Sequence, residues 1–417
     1  MARTPAPKKP PKEAPKQKAP SEIIAACAAQ GVTVFSADKL ITPQQVRRPT
    51  GIASLDVAIA GGWPAGALSN VYGPPSVGKT WLMWRTLAMQ QQIYGDDFFC
   101  VYVSLGMSPD LAFARLHGLK VPYSDPKEKD FFRTTYFKIH GALPTDEEVE
   151  AAGEKVGHLH LLFADTKLKG KKGGKGVDEN GWVDNDKPME RLLQTTVEIS
   201  KAHVCQMLIV DDIGGMPTQH RLKELYSDKG TKTADYAKLL TEWPQRLIMT
   251  LQMTEDGFNY TSVVTVSQVR VHISSGPFTS YDRVSSKCMD HLIATGVKLN
   301  PGNNPTGVSE EAGPRPIDWK IWKGKFGHGD GARGKYTFTP TVGIDYGEDL
   351  FNVCRLYKVI VPGKVKGSLV FQDDVHGTET VAKGEGSFLD KIDADPVLYA
   401  ALYAALMRAR CPGMRYR

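Results

Sequence analysis

Eight residues, Gly73-Pro74-Pro75-Ser76-Val77-Gly78-Lys79-Thr80, have the G-x-x-x-x-G-K-T spacing of a phosphate cradle. Glycine lets the backbone curl so that successive N–H groups converge on phosphate oxygens, and the positive end of a following helix reinforces them. In such a cradle Lys79 reaches the β and γ phosphates and Thr80 ligates Mg²⁺, so ATP with Mg²⁺ is the implied ligand. A metal-side acid is expected at the tip of a nearby strand, and Cys205-Gln206-Met207-Leu208-Ile209-Val210-Asp211 supplies one, with charge appearing abruptly after an apolar run. Asp212 follows as either a turn residue or a second acid near attacking water. A further buried-strand pattern, Ser262 to Arg270, ends in polar groups, and Gln268 at its tip suits a hydrogen bond to the terminal phosphate or its water.

Two polar stretches follow these strand tips. Pro217 to Asp235 holds His220, Arg221, Lys223, Lys229 and Lys232; Arg270 to Ser286 holds Arg270, His272, Ser274, Ser275, Gly276, Phe278 and Arg283. Polar donors and flexible glycine suit a sugar-phosphate backbone, and the few apolar side chains suit wedging between bases. Both stretches are expected to line a basic axis.

These residues need elements to position them. The apolar run 68–72 leads into the cradle and Trp81 to Met89 leads out, so a strand feeds a helix. Further strands are expected near 100–104, 160–164, 206–211, 262–268, 292–299 and 317–323, and helices near 81–94, 109–117, 188–202 and 234–252. That alternation predicts an α/β fold, a mostly parallel central sheet covered by helices on both faces. Residues 123–158 form a charge-rich stretch of helical character, and Lys167 to Gly176 a basic, glycine-rich loop that is either a solvated insertion or faces nucleic acid. After about residue 345 the pattern becomes a smaller α+β unit, with strands at Val353 to Val361 and Ser368 to Phe371 and a helix from Asp395 toward Arg408.

At the other end, residues 1–20 carry six prolines and five lysines with almost nothing to pack, which predicts a disordered tail. Residues 22–30 are expected to form a short helix between Ser21 and Gly31, and Val32 to Phe35 a strand, within a 21–49 element suited to packing on a neighbouring subunit or on the chain itself. The chain has 417 residues, 41% of them hydrophobic, enough for a large core. Its net charge of +6 is compatible with nucleic acid but too mild to establish it. Six cysteines form no C-x-x-C pair and read as buried thiols in a reducing compartment. No apolar run is long enough for a membrane span and the first twenty residues lack a signal core, so a cytoplasmic protein is expected, in the host if viral.

Taken in order, Thr50-Gly51-Ile52-Ala53-Ser54-Leu55-Asp56 through Gly66, the cradle, Leu208-Ile209-Val210-Asp211, Val266-Ser267-Gln268-Val269-Arg270 and Trp322-Lys323-Gly324-Lys325 resemble the RecA-type recombinases, including their bacteriophage relatives. The resemblance covers roughly 50–410 and is patchy after 120. It implies a RecA-like P-loop ATPase core (50–345), a small C-terminal α+β domain (346–417), and a DNA-dependent ATPase that forms filaments on single-stranded DNA and pairs it with homologous duplex. Single-strand-binding and loader proteins are further partners by the same resemblance. It also makes 217–235 and 270–286 the two DNA-binding loops, Gln268 the switch residue, and Lys323 and Lys325 the pair that reaches a neighbour's terminal phosphate, though alone they are two strand-end lysines. Asp110 and Phe113 fall where the family contacts adenine, or are an ordinary helix start and a core aromatic. The family's catalytic glutamate is missing, with Gly106 in its place, and Asp212 is the expected substitute. The insertions favour a viral or divergent member. A hexameric helicase motor of the same core type, and a filament protein that uses ATP as an assembly ligand with little turnover, remain the alternatives.

Overall fold

The computed structural model describes residues 45–105, 110–163, 167–169, 182–184, 188–213, 233–251, 258–272, 280–283, 286–302, 314–326, 329–339 and 343–413. Its centre is a ten-stranded sheet. The strands that matter here are β1 (Ala67–Gly73), β2 (Phe99–Ser104), β3 (His158–Phe163), β4 (Met207–Asp211), β5 (Ser262–His272), β6 (Thr295–Pro301), β7 (Arg315–Gly324) and β8 (Arg333–Thr339). They lie in the order β8-β7-β6-β1-β5-β4-β2-β3. From β6 to β3 every pairing is parallel, while β7 and β8 are antiparallel additions at one side. The short strand Ser280–Arg283 pairs antiparallel with the far end of β5.

Strand alternation divides the core. Cys100, Tyr102, Met207, Ile209, Val71, Val297 and Leu299 face one side, where helix α1 (Lys79–Tyr94) packs. Val101, Val103, Leu208, Val210 and Val263 face the other, against α2 (Pro188–Lys201) and α3 (Thr233–Thr250). Helix α1 is buried over Trp81 to Gln91, its buried polar residues Thr86, Gln90 and Gln91 finding hydrogen-bond partners there. The sheet covers one side of it and the C-terminal layer the other.

That layer contains α4 (Tyr346–Leu356), α5 (Glu385–Ala394), α6 (Pro396–Arg410) and a three-stranded sheet. The strand expected at Val353 to Val361 is not there. Asp345 caps α4 by accepting from Glu348 N at 2.8 Å, and Leu350, Phe351 and Cys354 bury a helical stripe, so the helix runs through Leu356 and the strand is confined to Ile360–Pro362. Of the β-branched residues that resembled a strand, Val353 lies on the helix, Val359 follows it, and Ile360 and Val361 form the short strand. The charge-rich 123–158 stretch forms two capped helices, Pro126–His140 and Asp146–Ala152, the second with a full capping box between Thr145 and Glu148. In the 165–185 insertion only the hairpin Lys167–Lys169 with Trp182–Asp184 is described. The tail and the 21–44 segment lie outside the described residues.

Buried polar contacts tie the C-terminal layer to the segment preceding β1. The Asp56 carboxylate accepts from Thr50 N (2.7 Å), Gly51 N (3.0 Å) and the Tyr403 hydroxyl (2.6 Å). Ser54 N donates to Asp349 at 3.0 Å, and the Arg85 guanidinium lies 3.9 Å from the Tyr346 ring centroid. Burial pushes the carboxyls of Asp56 and Asp349 up to about 6, against the opposing pull of these hydrogen bonds. A carboxyl raised on folding stabilises the fold fully below the unfolded value of 3.8 and loses that contribution as pH rises through about 6. Asp349→Asn cannot ionise, so relative to the native chain it should gain up to about 3 kcal/mol between pH 4 and pH 7.5. Thermal melts across that range check this; a pH-independent difference contradicts it.

Candidate nucleotide site

The cradle follows from local chemistry. β1 ends at Gly73, where an added Cβ would sit 2.4 Å from the Leu299 carbonyl oxygen of β6, so a side chain there would push the two strands apart. Gly78 has φ +84°, the left-handed conformation that lets the loop turn into α1, and Ser76 also takes a positive φ of 58°. The loop from Gly73 through Val77 thus folds back over the first turn of α1.

Lys79 is 9% exposed and donates to the carbonyls of Gly73 (3.0 Å) and Pro74 (2.6 Å). Burial lowers its pKa, and the charges of Asp212 and then Asp211 oppose that shift. Thr80 Oγ1 donates to Asp211 Oδ2 at 2.7 Å, and the Tyr102 hydroxyl donates to the same oxygen at 2.5 Å. Burial raises the Asp211 pKa, with both hydrogen bonds drawing it back. A hydroxyl and a carboxylate held together beside a buried ammonium are a donor set that fits Mg²⁺ with a phosphate chain.

Parallel register collects the other expected residues. Gly73 pairs with Gln268 across β5, and Ser104 pairs with Asp211 across β2 and β4. Gln268 is exposed beside the first glycine of the cradle. Strand β4 stops at Asp211, the Asp211–Asp212 peptide is cis, and the Asp212 charge acts on Lys79. The charges of both acids bear on Lys79. Asp110 caps the helix Leu111–Leu116, accepting from Phe113 N at 3.0 Å, and Phe113 packs edge-on against Trp81 with centroids 4.2 Å apart.

Lys323 and Lys325 are elsewhere. β7 runs antiparallel to β6, so its start is at the cradle end and its finish at the opposite end. There Lys323 donates to Asp290 O, and Lys325 to His291 O at 2.7 Å. Arg270, His272 and Arg283 lie on the β5 ribbon that continues past Gln268. Gly106, His220, Arg221, Lys223, Lys229, Lys232, Ser274, Ser275, Gly276 and Phe278 lie outside the described residues.

No family model matches the chain. It is 40% identical over 72 residues to Protein RecA of Brucella anthropi, a match covering 17% of this chain and 19% of that protein. It is 34% identical over 84 residues to Protein RecA of Solidesulfovibrio magneticus, covering 20% and 23%. The chain thus spans about a fifth of the length of these curated relatives. Over these short segments the chain is similar to Protein RecA. A solved structure described as the RadB recombinase aligns with a TM-score of 0.39 and 15% identity, covering 72% of this chain and 98% of that one.

Two residues of this core had no assignment from sequence. Tyr102 lies in an ordinary β-rich run, and only alternation with Asp211 on the α1 side hints at its hydroxyl's target. Arg315 reaches the cradle from far along the chain, donating to Ser76 O. Tyr102→Phe removes one hydrogen bond to Asp211, worth about 1 kcal/mol. Nucleotide affinity with Mg²⁺ should fall roughly fivefold, with little change in EDTA; equal losses in both conditions would mean that Tyr102 acts on the fold alone.

Proposed function

We propose that this chain is an ATP-dependent recombinase, which binds ATP in the cradle, assembles as a helical filament on single-stranded DNA and promotes homologous pairing and strand exchange. The observation that carries this reading is the position of Lys323 and Lys325. Eight residues of extended strand separate Arg315 from Lys323, about 26 Å at the usual rise, so these lysines serve a phosphate only in a neighbouring subunit. A site that needs its neighbour is a site that assembly switches on.

Within one protomer, Lys79 and the loop amides bind and orient the phosphates, and Thr80 with Asp211 would hold Mg²⁺. When bound, Mg²⁺ supplies charge neutralisation on the phosphate oxygens. Asp212, beside Lys79, takes the role of orienting water and accepting its proton. Gln268 stands at the cradle while its strand continues through Arg270 and His272, so a change in hydrogen bonding at one end of β5 has a covalent route to the polar segment at the other.

Electron microscopy with ATP and single-stranded DNA should show regular helical filaments, and discrete rings would favour a hexameric motor instead. Asp212→Asn should retain nucleotide binding and lose at least tenfold of DNA-stimulated phosphate release. Unchanged turnover removes Asp212 from the chemistry.

A further inference from the structure

We propose that Arg315 is a second cation for the phosphate chain, supplied by the same protomer, and that it makes the cradle prefer a triphosphate to a diphosphate. This rests on the nucleotide reading above and assigns a new residue to that site.

The cradle has a gap in its donors. Pro74 and Pro75 have no N–H, so two of the residues between the glycines contribute nothing to an anion through the backbone. Lys79, the one ammonium in the loop, is buried and donates to Gly73 O and Pro74 O. Arg315 stands beside this stretch. It is the first residue of β7, pairs with Phe338 of β8, and sends Nη2 to the carbonyl of Ser76, the residue after the two prolines. Its guanidinium lies 5.6 Å from the Phe338 ring centroid, and the same ring lies 3.5 Å from a Cβ built on Gly78. Phe338 therefore holds the guanidinium and the helix end of the loop together.

The Nε of Arg315 is buried and has no hydrogen-bond partner. A buried guanidinium donor without an acceptor is costly, and a phosphate oxygen is the acceptor whose charge and fork geometry match it. Loop amides serve the inner phosphates of a bound nucleotide. A cation by the loop's crest adds most to the ligand with one more phosphate and more negative charge, because charge-assisted hydrogen bonds scale with that charge. β7 then carries a cation for its own protomer's ligand at one end and, in an assembled filament, Lys323 and Lys325 for a neighbour's at the other.

The test is calorimetric titration of the full chain with Mg²⁺-AMP-PNP and, separately, Mg²⁺-ADP, using the native protein, Arg315→Ala, Arg315→Gln and Arg315→Lys. Arg315→Ala and Arg315→Gln should weaken AMP-PNP at least tenfold and ADP no more than twofold, and Arg315→Lys should recover part of the difference. Equal losses for both nucleotides, or no loss for either, would overturn the assignment. Circular dichroism melts separate a folding defect from a binding one, and the lysine variant keeps the test decisive if the alanine variant unfolds. Failure of the native chain to bind either nucleotide would instead overturn the nucleotide site itself, and this inference with it.

Discussion

Parallel pairing makes the carboxyl ends of β1, β5 and β4 finish at one edge of the sheet, and everything chemical in this chain depends on that constraint. Residues far apart in sequence meet there: Gly73, last in β1, opens the cradle, Asp211, last in β4, accepts from Thr80, and Gln268, within β5, pairs across from Gly73. Helix α1 begins at the same edge, so its positive end and the buried Lys79 ammonium converge with two carboxylates. None of these groups is unusual alone. Their shared edge produces a site suited to a polyanion with a divalent cation.

Antiparallel β7 breaks that arrangement usefully. Because it runs against its neighbours, it carries charge to both edges, with Arg315 at the cradle and Lys323 and Lys325 at the far side. Strand rigidity keeps those cations apart, so one protomer cannot supply both sets to one ligand. Helix α1 also links the cradle to the C-terminal layer, since Arg85 on its rear face meets Tyr346 and Met89 joins the core around α4 and α6. The buried Asp56 and Asp349 contacts fix that layer to the segment entering β1.

Much of this was legible in the sequence where a local rule dictates the backbone. The cradle's glycines and the apolar run ending at Asp211 each announce themselves within a few residues, and the seven core strands and four helices expected from periodicity all form, but β5 runs past Gln268 to His272 instead of ending there, and β6 starts at Thr295 because Leu292 closes a helix. The α4 error arose because Val353, Val359 and Val361 look strand-like unless the cap at Asp345 and the Leu350-Phe351-Cys354 stripe are read together. Arg315 was invisible for a different reason: its partner Ser76 is 239 residues away, and only the register of β6, β7 and β8 brings them together. Tyr102 required knowing which face Asp211 occupies. Asp212 follows directly on the end of β4.

Mixing two crippled proteins tests most directly whether one protomer completes its neighbour's site. Lys79→Ala keeps Lys323 and Lys325 but loses the cradle, while the double variant Lys323→Ala/Lys325→Ala keeps the cradle but loses the donors to a neighbour. Each alone should release little phosphate from ATP on single-stranded DNA. Combined in equal amounts they should recover a substantial part of native turnover, since interfaces form in which an intact cradle meets intact lysines; activity no greater than the sum of the two separate proteins would contradict the account.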